Sequence, residues 1–339
     1  MALGMGTFFP MAEDPHTNQS IGATAARLAD LLTGGGGGLR DAAGSDLVFE
    51  EALDVRPLSR LAAPAEVWAV DGGQALVADA RCLQVYVTRA ARVRWVDGRT
   101  VLEDEGALRA HLLGLGQDRM TLAALGAPVA PDSSVDVNLL RDWGEWEATA
   151  KCVEEAAAGA MVLVDGDLQP DWRIPAAWLT ELLARAAARG ITTVGVTKHT
   201  GLSWGGAPLL SVLEQRAPAE LGARKCWWVP VARTRPDVGP GIQVVVARLD
   251  PDARFSFRID LPGDADPVAS LGALAALCND AAFPGYPYPL SVADRMAACP
   301  RWIRDEVWDR IDEVFDDKEV PFEARERAFA DRHRMMERY

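Results

Sequence analysis

The chain has 339 residues, 49% of them hydrophobic, and a formal net charge of −14 at pH 7. That is enough for one large domain or two ordinary ones with a substantial core. No apolar run is long enough to cross a bilayer, and the acidic surplus argues against a surface broadly built to neutralise phosphate.

Met1 to Ile21 carries no positive charge ahead of an apolar stretch, so a secretory signal is not expected. The five cysteines (Cys82, Cys152, Cys226, Cys278, Cys299) show no Cys-x-x-Cys spacing. An odd, scattered set predicts reduced thiols in a cytoplasmic protein, without a disulfide framework or zinc site. The 35 basic residues include four lysines, Lys151, Lys198, Lys225 and Lys318, and the other 31 are arginines. Arginine grips phosphate with a planar fork, so a local basic channel remains compatible with the net charge.

Residues 1–20 carry no clear pattern and are expected to be loose. Ala23 to Leu32 has helical periodicity and stops at Gly34 to Gly38, a run that suits a flexible linker or loop. Leu47 to Leu58 is compatible with a short helix or an extended connection. The run Glu66-Val67-Trp68-Ala69-Val70 predicts a buried strand delivering Asp71 to a sheet edge, with a turn at Gly72-Gly73. Ala75 to Ala80, Leu83 to Thr88 and Arg89 to Trp95 are strand material. Asp97-Gly98 is a strong hairpin signal before Thr100-Val101. The first acid thus opens an antiparallel meander of about three strands.

Gly106 to Leu115 and Met120 to Leu125 are expected as short helices, and Ser133 or Ser134 as a cap. Val137 to Ala158 predicts a long amphipathic helix with Leu139, Leu140, Trp143, Trp146, Ala150 and Val153 on one stripe. Met161-Val162-Leu163-Val164-Asp165-Gly166 repeats the strand-acid-glycine pattern. Pro175 to Arg189 is a helix closed by Gly190, and Thr192 to Thr197 is a strand ending at Lys198. Gln243 to Leu249 and Arg254 to Ile259 form a hairpin around Asp250-Pro251-Asp252. Pro267 to Asn279 is a helix, Phe283 to Leu290 a rigid aromatic loop, and Ser291 to Ala298 a short helix capped by Ser291. Pro300 to Tyr339 is charged and mostly helical.

Between 65 and 198 the order of elements is three antiparallel strands, helix, strand, helix, strand. That is the order of a ribonuclease H-like α/β fold, a mixed sheet flanked by helices; the correspondence is one of fold. In that fold the first strand, first helix and fourth strand each carry a catalytic acid. Here those slots hold Asp71, Glu145 or Glu147, and Asp165.

A lone Asp-Gly pair is ordinary turn chemistry, and Asp97-Gly98 is read that way. Asp71 and Asp165 each end a buried run, where an isolated charge is costly, so a shared divalent metal is the better account. Such a metal prefers oxygen ligands, and a pair of them about 4 Å apart clamps an in-line phosphoryl displacement. Glu145 and Glu147 project about 200 degrees apart on their helix, so only one faces the site. Glu145 is one turn after Arg141, with which it can also pair. Asp167 suits a turn or an outer acid. Lys198, at the same edge in a lysine-poor chain, suits a phosphate contact, with His199 and Ser203 weaker candidates. His16, His111 and His333 show no ligand spacing. Trp143, Trp146, Trp227 and Trp228 suit core packing.

The chain resembles the NurA nucleases. The resemblance lies in Val67-Trp68-Ala69-Val70-Asp71-Gly72-Gly73, in Arg141 through Glu147, and in Val162 through Leu168. It continues in Val194 through Lys198, Phe257 through Asp260, and Gly285-Tyr286-Pro287-Tyr288-Pro289-Leu290 with Ala293-Asp294. Six motifs in order, over roughly positions 65 to 300, make it fairly specific. It implies a Mn²⁺-dependent nuclease, with one or two metals and Mg²⁺ as a weaker substitute. The implied activities are 5′-3′ exonuclease and single-strand endonuclease on DNA, in end resection during double-strand-break repair. The implied partners are a second copy in a homodimer and the hexameric HerA translocase ATPase.

The resemblance puts the first acid on Asp71, the strand acid on Asp165, the helix glutamate on Glu145 or Glu147, and the tyrosine on Tyr286. Asp71, Asp165, Glu145 and Asp294 become the expected metal ligands, with Lys198 and Tyr286 positioning phosphate. The family places a histidine eight residues after its tyrosine, whereas this chain has Asp294. Aspartate is still a hard oxygen donor for manganese, but cannot serve as a neutral nitrogen ligand. That departure favours a second reading, a catalytically silent scaffold for the translocase; because the core chemistry is shared, a third is a ribonuclease H-like nuclease acting on RNA or hybrids. The expected division is an N-terminal helical extension (1–60), a nuclease domain (61–300) and a C-terminal helical arm (301–339).

Overall fold

The structure, a computed structural model, describes residues 20–33, 37–41, 46–235 and 241–330. The expectations for residues 1–19, for Gly34 to Gly36 and for the end of the arm lie outside those residues. α1 (Ile21–Thr33) is helical as its periodicity predicts, and exposed from Ile21 to Leu32. β1 (Leu39–Asp41), β2 (Leu47–Phe49) and β3 (Arg56–Pro57) follow, so of the two readings for 47–58 the extended one holds. The 1–60 segment, expected as a helical extension, therefore also contributes strands.

β4 (Glu66–Asp79) pairs with β5 (Gln84–Val96) without interruption through Gly72-Gly73. The turn expected there is absent. Two glycines in an apolar strand mark sites of close approach from neighbouring elements, and that role displaces the turn reading. Asp71 is consequently mid-strand. β5 turns at Asp97 (φ 48°) and Gly98 (φ 79°) into β6 (Arg99–Asp104), both central residues in the left-handed region that a tight hairpin requires.

The stretch 106–115, expected as a helix, forms β7 (Arg109–Leu113) against β5. Gly106, Gly114, Leu115 and Gly116 all take positive φ around it, and His111 and Leu113 alternate inward. Turn glycines at both ends and a period of two outweigh helical propensity there. α2 (Asp118–Leu125) follows.

α3 (Val137–Glu155) is capped by Asp136, whose carboxylate accepts from Leu139 N at 2.9 Å, and not by Ser133 or Ser134. Asp136 also meets Arg173 at 3.1 Å. Replacing Asp136 with Ala is expected to cost about 1 kcal/mol and to lower the melting temperature by about 2 °C, as calorimetry would measure.

β8 (Met161–Asp165), α4 (Ala176–Ala188) and β9 (Thr192–Thr197) complete the predicted order. β8 runs parallel to both β4 and β9. The core sheet order β6-β5-β4-β8-β9 is the ribonuclease H-like arrangement, and the α/β architecture is as expected. The sheet then grows to eleven strands. After β10 (Leu202–Trp204), β11 (Ala207–Pro208) and α5 (Leu209–Leu221) come β12 (Trp227–Thr234), β13 (Ile242–Arg248) and β14 (Phe257–Pro262). β14 docks on β9 antiparallel, and β2 and β3 close the far edge on β12.

α6 (Pro267–Ala275), α7 (Tyr288–Ala297), α8 (Arg301–Asp317) and α9 (Phe322–Phe329) end the described chain. α7 begins at Tyr288, behind Pro287 and with Pro289 in its first turn, so Ser291 is interior and caps nothing. No helix among the described residues is long and apolar enough to cross a membrane.

The sheet is covered on both faces. Trp68, Val70, Val162 and Val164 belong to the core under α3, α4 and α5. Val67, Ala69, Met161, Leu163, Val194 and Val196 belong to the core with α6 and α7. Because strand side chains alternate, this parity decides which face each acid reaches. The predicted core tryptophans Trp143, Trp146, Trp227 and Trp228 are all buried.

Candidate metal centre

Asp71 continues the parity of Val67 and Ala69, and Asp165 that of Met161 and Leu163, so both belong to the α7 face. β8 pairs with β4 only as far as Val70–Val164. The two acids therefore sit where the parallel ladder gives out. α7 lays Asp294 across that point. Asp71, Asp165 and Asp294 each offer a carboxylate oxygen, all within 4.8 Å of one another. Asp71 is buried, Asp165 partly so, and Asp294 exposed.

Lys198, one residue past β9, reaches back into this group. Its Nζ lies 2.6 Å from Asp165 Oδ2 and 2.7 Å from Asp294 Oδ1. It also stands 5.1 Å from the centre of the Tyr286 ring, within cation–π range. Burial alone would lower the ammonium's pKa, but the hydrogen bonds and charges of the two aspartates outweigh it and raise it.

Asp71 is pushed up to about 7, first by burial, then by the charge of Asp165, with Asp294 adding to it and Lys198 opposing. Its Oδ1 accepts from Gly72 N at 2.7 Å. Tyr286 is 2% exposed, and its hydroxyl has no hydrogen-bond partner among the described residues. Burial and the nearby charges of Asp165 and Asp71 hold that phenol protonated well above its usual range.

These residues fit a divalent cation. The donors are all oxygen, and carboxylates this close are held together at an electrostatic cost that positive charge between them offsets. The buried, unpartnered hydroxyl of Tyr286 borders the same group.

Glu145, expected among the ligands, approaches Asp71 from another element. It belongs to α3 on the opposite face of the sheet, and is not in the three-carboxylate group. Gly72 explains its position: a Cβ on Gly72 would fall 2.2 Å from Glu145 Oε1 and 2.4 Å from its Cγ. The missing side chain lets the carboxyl press against the strand beside Asp71. Arg141 Nη1 stands 3.0 Å from Oε1 as an i,i+4 ion pair, yet Oε1 makes no hydrogen bond among the described residues. Burial raises its pKa well above the ordinary value, opposed by Arg141 and reinforced by Asp142, Asp71 and Asp165. Glu145 is thus a buried acid pressed against the strand next to Asp71, where the charges of Asp71 and Asp165 act on it.

Glu147 lies away from the group. It pairs with Arg109 at 2.6 Å in a cleft lined also by Arg89, Arg92 and Lys151. Glu147→Gln is expected to change any cleavage rate by less than about threefold, as for the loss of a partly exposed pair. A loss of a hundredfold in a rate assay would move it into the site. Asp167 is pushed up to about 6 by burial and Asp260, and is 3.4 Å from Arg258.

Two roles went unassigned in the sequence. Arg258 binds Asp260 with both its Nε and Nη2, each at 2.8 Å, and Asp260 also accepts from Leu168 N at 3.2 Å. This anchors the loop after Asp165. Its signal was opposite charges two apart on an apolar strand, which share a face. The second role is that of Gly73, where a Cβ would fall 1.8 Å from the carbonyl oxygen of Ala297 at the end of α7.

No protein-family model matches the sequence, and no curated protein matches it. Among solved structures, the NurA nuclease from Sulfolobus solfataricus is similar with a TM-score of 0.53 at 15% identity, over 80% of this chain and 89% of that one. Another NurA structure matches with a TM-score of 0.41 at 9% identity, over 71% and 86% of the two chains. Human endonuclease V matches with 0.39 at 15% identity, over 72% and 86%. The arrangement of sheet and helices that carries the three aspartates is a NurA-like fold.

Proposed function

We propose that this chain is a metal-dependent nuclease that hydrolyses DNA phosphodiesters, with Asp71, Asp165 and Asp294 holding the cation. The observation that carries this reading is the group of three carboxylates, drawn from β4, β8 and α7, with oxygens within 4.8 Å of one another. A divalent cation bound there would polarise a phosphoryl oxygen and lower the pKa of water.

The chain's own residues supply the rest. Tyr286, kept protonated, sets its buried hydroxyl beside the acid group and its ring under the Lys198 ammonium. Lys198 supplies a compact positive charge for a substrate phosphate. Glu145 and Gly72 back the strand that carries Asp71, so that the carboxylate is set by packing.

The finer reading follows the resemblance: Mn²⁺ as the metal, one or two ions, with Mg²⁺ a weaker substitute. The substrate is then DNA ends and single strands, degraded 5′-3′ in break resection. The working form is a homodimer on a HerA-type hexameric ATPase. The ordered motifs from Val67 to Asp294 and the NurA-like fold support it.

The test is digestion of 5′-labelled DNA, single-stranded and duplex, beside matched RNA and hybrid substrates, with Mn²⁺, Mg²⁺ or EDTA. Metal-dependent shortening of DNA supports the reading. Preference for RNA or hybrid transfers it to a ribonuclease. A specific observation favours a second reading, a non-catalytic partner of the translocase: Lys198 already neutralises Asp165 and Asp294. Titration with Mn²⁺ separates the two, because a scaffold of that kind would take up no metal.

A further inference from the structure

We propose that Lys198 is a resident counter-cation of the acid group, and that a divalent metal enters by exchanging with its ammonium. The inference rests on the metal reading above and adds how the site is kept before loading.

The geometry sets the ammonium in competition with an incoming cation. Lys198 Nζ is within 2.6 Å of Asp165 Oδ2 and 2.7 Å of Asp294 Oδ1. Both carboxylates belong to the three that can share an ion. A cation drawing on those oxygens would stand a few ångströms from the ammonium, where like charges repel strongly. The lysine's flexible stem lets it leave without disturbing the backbone. The Tyr286 ring at 5.1 Å gives it a third contact while it stays. Once released, the same ammonium can turn all three of its N–H donors to a substrate phosphate. Lys198 is therefore a positioning residue first and a phosphate contact second.

Two measurements test this on the full chain without substrate. The first is calorimetric titration with Mn²⁺ alone of wild type, Lys198→Met and Lys198→Gln, each shown folded by circular dichroism. Removing the competitor is expected to tighten Mn²⁺ binding by about tenfold. Binding by wild type that is unchanged or weakened in both variants overturns the exchange while leaving the metal reading intact. Absence of binding in all three overturns both.

The second measurement needs no variant. The chain holds four lysines, so acetylation by an amine-reactive reagent can be followed at each by mass spectrometry. Lys198 is expected to react several-fold faster with Mn²⁺ present, while Lys151, Lys225 and Lys318 serve as unchanged references. An unchanged or slower rate at Lys198, at saturating Mn²⁺, overturns the proposal.

Discussion

Asp71→Asn is expected to reduce metal-dependent DNA cleavage by about three orders of magnitude, the rate equivalent of the several kcal/mol a correctly held cation supplies. The amide keeps the shape but loses the charge, so the defect is chemical and not one of folding. Cleavage within about tenfold of wild type would remove Asp71 from the machinery. The same substitution should stabilise the metal-free protein. Asp71 has a folded-state pKa of about 7 against an ordinary 3.8. A raised carboxyl pKa means that the folded state holds the proton more tightly than the unfolded chain does. Metal-free wild type is therefore expected to lose stability as pH rises from about 4 to about 7, and then to level off. The Asp71→Asn variant should flatten part of that fall, and scanning calorimetry in EDTA across the range reads it directly. Activity lost and stability gained in one variant would mark a carboxylate placed for chemistry at a cost to the fold.

Gly73→Ala carries the largest expected effect on the fold. The added Cβ would sit 1.8 Å from the carbonyl oxygen of Ala297 and 2.7 Å from its carbon. Both are backbone atoms, so no side-chain rotation relieves the contact. Arg89 Nε also donates to that oxygen at 3.3 Å, which ties it to β5. The end of α7 must move, and Asp294 lies one turn before it. The expected cost is about 3 kcal/mol, seen as a lower urea midpoint, together with weaker Mn²⁺ binding. Gly73→Ala with wild-type stability would show that α7 is not held against the strand. Metal binding retained despite lost stability would show that Asp294 is dispensable.

Much of the fold could be read from the chain because its signals are local. Alternation, apolar runs and turn residues act over a few positions, and Asp97-Gly98 and the run ending at Asp165 carried them clearly. The errors came where a residue answered to something distant. Gly72-Gly73 has the composition of a turn, yet each glycine leaves room for an element far along the chain: Glu145 on one face and Ala297 on the other. The segment 106–115 carries turn glycines and a period of two beside helix-favouring residues, and pairing with β5 settles the balance. Ser133 and Ser134 are good caps by type, but Asp136 is the one in register with the first turn of α3.

The site divides in the same way. The sequence alone determined the order of elements and the two acids that end buried runs, because burial and chain order are written in residue type. It also singled out Lys198 as a neighbour of that edge, while Tyr286 came only with the resemblance. The resemblance already set Asp294 with Asp71 and Asp165; only the tertiary structure decided that α7 carries it to within 4.8 Å of them, and that Glu145 comes to the strand from the α3 face. Only the tertiary structure decided that Lys198 spans two of the three acids. Those outcomes depend on which face of β4 each side chain takes and on how closely α3 and α7 approach it. Packing between segments far apart in the chain sets both, and no local pattern encodes it.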